Sequence, residues 1–174
     1  MKIKVRNGNN VLVVLVGVED ITPLNEILDH QTIVQIYDFD WDEMLSPWPH
    51  ERIFKKGNDF QGKADQFLEK FMKEDIFQKE YRRKMIIGYS LAGLFSLYAC
   101  MKTDYFTDCA SVSGSLWYPD FLTYILNHPV HCQNVYVSLG QQEKNTKNLI
   151  MSQVEEKTNE IVQILNKTIM YSSK

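Results

Sequence analysis

The sequence predicts an α/β fold: a three-layer α/β/α sandwich on a mostly parallel sheet of about five strands, forming one domain over residues 1–174. Two patterns carry this reading. Five short apolar runs, at 11–16, 32–37, 84–88, 109–113 and 134–139, alternate with stretches of helical periodicity. The first of them, Val11–Val16, is apolar without interruption, as in strands covered on both faces. Length adds a third observation, since 174 residues with 44% hydrophobic content suffice for one substantial core.

Val11–Val16 ends at Gly17, and Thr22-Pro23 reads as an N-cap and first-turn proline for a short helix presenting Leu24, Ile27 and Leu28. The second strand spans 32–37. The stretch from Asp38 to about Asp59 has no periodicity and carries Trp41, Pro47, Trp48 and Pro49; a loop that long within a domain points to function. Ala64, Phe67, Leu68, Phe71 and Met72 then fall on one helical face. After the third strand, Leu94, Phe95, Leu97, Tyr98 and Met101 continue as an apolar helix. The fourth strand leads into Gly114-Ser115-Leu116-Trp117-Tyr118. Pro119 opens a helix predicted to bury Phe121, Leu122, Ile125 and Leu126. A fifth strand closes at Gly140, and a last helix is expected over about 147–165.

Charge and cysteine usage narrow the function classes. A net charge of −3 gives no basic footprint for nucleic acid. Cys100, Cys109 and Cys132 form neither a metal-type pair nor a disulfide framework, which suits reduced thiols in a cytoplasmic protein. Lys2, Lys4 and Arg6 precede an apolar run, superficially like a signal peptide. The polar turn at 7–10, the acidic Glu19-Asp20 and the lack of a small-x-small cleavage site favour a buried strand instead. No stretch is long enough for a membrane span, and no cofactor is expected. Asp38-Phe39-Asp40-Trp41-Asp42 imitates the start of a calcium loop, but Glu43 and Pro49 occupy the positions that need glycine and glutamate. Glu19-Asp20 lacks the aspartate a magnesium pocket would need after the third strand, and His128 and His131 lack further ligands.

The chain is organised around Met85-Ile86-Ile87-Gly88-Tyr89-Ser90-Leu91-Ala92-Gly93-Leu94-Phe95. This reads as a strand, a sharp turn with Ser90 at its apex, and a helix. Such a nucleophile elbow requires small residues two before and two after the serine, here Gly88 and Ala92. It lifts the hydroxyl above the carboxyl edge of the sheet, beside the unpaired N–H groups of the next helix, a geometry suited to acyl transfer. The alternative is an ordinary turn with a serine N-cap.

Gly-Tyr-Ser-Leu-Ala-Gly-Leu-Phe at 88–95 and Ser-Val-Ser-Gly-Ser-Leu-Trp at 111–117 resemble the enterochelin-esterase-like branch of the α/β-hydrolases. Leu45-Ser46-Pro47-Trp48 and Phe60-Gln61-Gly62-Lys63-Ala64-Asp65 resemble that family's Asp-Leu-Ser/Thr-Pro loop and Gly-Gly-Ala-Asp helix start. The resemblance runs from about residue 11 to 160. It implies a serine hydrolase acting on a small-molecule ester, with Ser90 as nucleophile. Leu91 is then the first oxyanion donor. A second donor is expected from Gly17-Val18 or from Asp40-Trp41, so Val18 and Trp41 are both candidates. The resemblance also suggests an Asp-x-Glu-like pattern at 141–143; Gln141 replaces the first carboxylate, leaving Glu143 to orient the base.

The base itself departs from the family, whose histidine follows the last core strand. His30, His128 and His131 precede strands and so lie at the edge opposite Ser90, about 20 Å away across a six-residue strand. Only His50 lies on a loop at the active edge, and a surface role is expected for it. The expectation is therefore a weak or inactive esterase, C-terminally shortened relative to the family. The alternative is a non-catalytic protein that keeps the hydrolase scaffold for binding. The outer edge of the fifth strand is a pairing surface on which a homodimer would form.

Overall fold

The computed structural model describes residues 1–53 and 57–171, with side chains through Asn166. Six strands form the main sheet in the order β1-β3-β2-β6-β7-β8. They are β1 Lys2–Arg6, β2 Val11–Val16, β3 Thr32–Tyr37, β6 Arg83–Tyr89, β7 Asp108–Val112 and β8 Asn134–Ser138. All neighbours pair in parallel except β1 and β3, which are antiparallel. The five predicted strands are present with ends within one residue. The sixth, β1, is not among the expected strands: its Lys-Ile-Lys-Val-Arg alternation, which puts three cations beside the first apolar run, belongs to a half-exposed edge strand.

Alternation along the strands separates two faces. Leu12, Val14, Val16, Val34, Ile36, Ile86 and Cys109 face the main core, packed against α2 (Ala64–Met72), α3 (Leu91–Lys102), α4 (Phe121–Asn127) and α5 (Val154–Tyr171). Val13, Leu15 and Ile33 face the other way, under Ile21, Leu24 and Leu28. α3 is the central helix, with every residue from Leu91 to Met101 buried. This explains why its apolar content runs all round instead of forming a stripe.

Two helical expectations are corrected. Thr22-Pro23 begins only a single 3₁₀ turn, Thr22–Leu24, and Thr22 does not cap it; Asp20 Oδ1 instead accepts the Thr22 N–H at 2.9 Å. Ile27 is consequently 73% exposed. In α4, Phe121 and Ile125 are buried but Leu126 is 62% exposed, because it points away from the side that meets α5. The long stretch after β3 holds a short helix, α1 (Trp41–Met44), capped by Asp40 accepting the Glu43 N–H, and a two-stranded hairpin of β4 (Pro49–His50) with β5 (Phe60–Gln61). Among the described residues no helix is long and apolar enough to cross a membrane.

Candidate active site

Four strands, β2, β3, β6 and β7, are each followed at once by a residue with positive φ: Gly17 (77°), Asp38 (57°), Ser90 (55°) and Ser113 (45°). Three of these are not glycine, so backbone strain is concentrated along one edge of the sheet, where functional sites of such folds lie. Ser90, at φ 55° and ψ −123°, stands between β6 and α3, and its side chain makes no capping bond. The ordinary N-cap alternative for this turn is thereby corrected, since a capping serine is extended and bonds the helix N–H groups.

Local contacts enforce the turn. The Ser90 N–H donates to the Val112 carbonyl at 3.0 Å, and the Ser90 carbonyl accepts from Gly93, Leu94 and Ser115 at 2.9, 3.2 and 3.0 Å. A Cβ on Gly88 would lie 2.1 Å from the Ala92 carbonyl oxygen, so only glycine allows the strand and helix to meet this closely. Gly93 faces the loop after β7, where its Cβ would come within 3.0 Å of Gly114 Cα. Leu91 opens α3, and its N–H is among the first-turn donors that have no acceptor within the helix.

The Ser90 side chain opens into a cleft of about 260 Å³ lined by Tyr89, Ser90, Ser113, Ser115, Trp117, Glu143, Met151 and Val154. Ser90 and Glu143 thus share one cleft. The Glu143 carboxylate folds back on its own turn, where Oε1 accepts the Gly140 N–H at 2.8 Å. Gly17-Val18 leaves the sheet beside the elbow, since Val16 pairs with Gly88. Val18 packs its side chain under the sheet, and Trp41 lays its indole over Gly17, 2.3 Å from where a Cβ would stand. Neither side chain is among those lining the Ser90 cleft.

No described residue lining that cleft is a histidine. His50 lines a separate cavity of about 410 Å³ beyond Trp117, with its ring 6.2 Å from that of Tyr118. His128 stacks on Tyr124 at 3.8 Å, His30 lies 3.4 Å from Asp29, and the His131 N–H bonds the Cys100 carbonyl. Ser115 received no role from the sequence, yet its hydroxyl sits 3.4 Å from that of Ser90. The available signal was its place two residues past the positive-φ end of β7, beside a glycine. Met151 and Val154 had no signal, because a helix reads the same whichever surface it closes.

No family model matches the sequence. The protein YbbA of Bacillus subtilis, itself uncharacterized, is 28% identical over 131 residues, which cover 69% of this chain and 52% of YbbA. An IroE-like serine hydrolase from Shewanella oneidensis superposes with a TM-score of 0.74 at 18% identity, over 95% of this chain and 64% of that one. The enterobactin esterase FES from Shigella flexneri gives 0.62 at 14% identity, over 95% and 50%. The siderophore hydrolase EstA from Aspergillus nidulans gives 0.58 at 16%, over 91% and 68%. The chain therefore has the α/β-hydrolase type of fold and spans about half the length of the curated relative it matches.

Proposed function

We propose that the chain is a carboxylic-ester hydrolase of the enterochelin-esterase-like branch, acting on a small-molecule ester with Ser90 as nucleophile. The observation that carries this reading is the Ser90 backbone, held at φ 55° on a strand-turn-helix apex, with a side chain that makes no cap bond and lines a cleft at the sheet edge. Support for the ester class comes from structural neighbours described as a serine hydrolase, a siderophore hydrolase and an enterobactin esterase. Three buried free cysteines suit a cytoplasmic setting.

In this reading Ser90 Oγ attacks the acyl carbon while its proton leaves to a base. The Leu91 N–H holds the developing oxyanion, joined by a second donor from Val18 or Trp41. Glu143 is the residue that would orient a histidine base; with none among the described lining residues, water or hydroxide takes the proton, and turnover is slow. The same lining favours a second reading, in which the scaffold binds an ester or carboxylate without turning it over.

A fluorophosphonate probe, read by mass spectrometry of the Ser90 peptide, tests the first reading. Labelling is expected to be slow, to rise with pH and to vanish in Ser90→Ala. p-Nitrophenyl acetate hydrolysis by the 174-residue chain should be slow, since without a base the elbow and oxyanion donors leave only about 10³–10⁴-fold over water. Absence of Ser90 labelling at every pH, with binding intact, would favour the second reading. Rapid turnover abolished by His50→Ala would identify His50 as the base.

A further inference from the structure

We infer that Ser115 is a positioning residue for Ser90: its hydroxyl donates to Ser90 Oγ, turning the Ser90 proton toward the cleft and stabilising the oxygen as it becomes negative. The inference rests on the reading of Ser90 as nucleophile. Three observations carry it. The two Oγ atoms are 3.4 Å apart, and among the described residues Ser115 is the side chain within hydrogen-bond distance of Ser90 Oγ. Ser115 is only 4% exposed, and Ser90 Oγ is the protein partner within reach of its hydroxyl. Its main chain is fixed against the elbow, with its N–H on the Ser90 carbonyl at 3.0 Å and its own carbonyl accepting the Tyr118 N–H at 3.0 Å.

Direction follows from the chemistry. If Ser90 donated to Ser115, its proton would point into the wall, away from any acceptor in the cleft. With Ser115 as donor, the Ser90 proton faces the cleft and leaves to water or hydroxide. The bond from Ser115 shortens as charge builds on Oγ, because hydrogen bonds to an ionised oxygen are shorter and stronger. It then weakens as Oγ bonds the acyl carbon. Ser115 neither gains nor loses a proton. Nearby Ser111 cannot take this part: its Oγ lies 3.1 Å from where a Gly93 Cβ would stand, between the helix and the loop.

The test is the pH profile of Ser90 labelling by a fluorophosphonate in the full chain, comparing wild type, Ser115→Ala, Ser115→Thr and Ser115→Cys. A donor that favours the ionised form lowers the pH at which it appears. Ser115→Ala should therefore label about tenfold more slowly, with the rising limb displaced by about one pH unit. Ser115→Thr, which returns a hydroxyl, should recover most of the rate. Ser115→Cys, of similar volume but a weak donor, should fall between, and it carries the test should Ser115→Ala not fold. An unchanged profile in Ser115→Ala, or a loss of rate that Ser115→Thr does not recover, overturns the inference while leaving Ser90 as nucleophile. Failure of the wild type to label at Ser90 overturns the nucleophile and the inference together.

Discussion

Gly88→Ala places a methyl group where the chain leaves no room. The new Cβ would lie 2.1 Å from the Ala92 oxygen, 2.2 Å from the Ala92 carbonyl carbon and 2.8 Å from the Gly93 nitrogen. Relaxed contacts between such atoms lie at about 3.5 Å, so the first turn of α3 must retreat by more than about 1 Å. That turn cannot move freely, because α3 is buried from Leu91 to Met101 and the Ser90 carbonyl is held by three N–H groups. Overpacking of this kind costs up to about 3 kcal/mol, and weakening the Ser90 bonds to Gly93 and Leu94 adds about 1 kcal/mol each. The expected loss is about 3–5 kcal/mol, read as a lower urea midpoint at unchanged slope and a fall in melting temperature of about 10 °C. Gly93→Ala is the matched control. Its Cβ would meet Gly114 Cα at 3.0 Å, a tighter than usual contact offset by about 1 kcal/mol of helix propensity. A Gly88→Ala protein within 1 kcal/mol of wild type, or no worse than Gly93→Ala, would refute the steric account of the elbow.

Two further outcomes concern stability. Burial works against charge on Asp108, but bonds from Arg83, Thr107 and Asn134 outweigh it and hold the carboxyl below its usual range. Its contribution is therefore full above the ordinary carboxylate pKa of about 3.9 and lost as pH falls through the lower folded value. Asp108→Asn should remove that part of the acid sensitivity in urea titrations below about pH 4, and Asp108→Ala should cost about 2 kcal/mol at pH 7. Tyr118→Phe removes the hydroxyl that donates to the Trp48 carbonyl at 2.7 Å, and should lower stability by about 1 kcal/mol in the same assay.

The five parallel strands were legible because each is a short run whose apolar residues meet a core. β1 was not, because this edge strand covers little apolar surface, with Ile3 half-buried and Val5 41% exposed, and its three cations dominate the pattern. The Thr22-Pro23 signal failed for a related reason: an Asx-type bond from Asp20 competed successfully with the helix start. At the site, chain order brings the loops of Ser90 and Glu143 to one edge, because parallel strands deliver their following loops there, and the family resemblance singles out Glu143 within its loop. What chain order cannot give is which loop side chains turn inward. Ser115, Met151 and Val154 line the cleft through tertiary packing, and His50 is carried by the β4–β5 hairpin to the far side of Trp117.

The two walls of the Ser90 cleft differ in how firmly the protein holds them. Ser90 is tied by four main-chain hydrogen bonds to β7, to the loop after it and to a helix buried from Leu91 to Met101, so its backbone relaxes only when the core opens. The opposing wall comes from the stretch around Glu143, Met151 and Val154. There the carboxylate bonds to its own turn, and neighbouring residues such as Leu149, 82% exposed, contribute little burial. One wall therefore behaves as an anvil and the other as a jaw. Substitutions at the exposed positions between residues 140 and 150 can widen or narrow the opening at small energetic cost while the serine stays where the helix puts it. Those at 88–93 alter the apex only by disturbing the core.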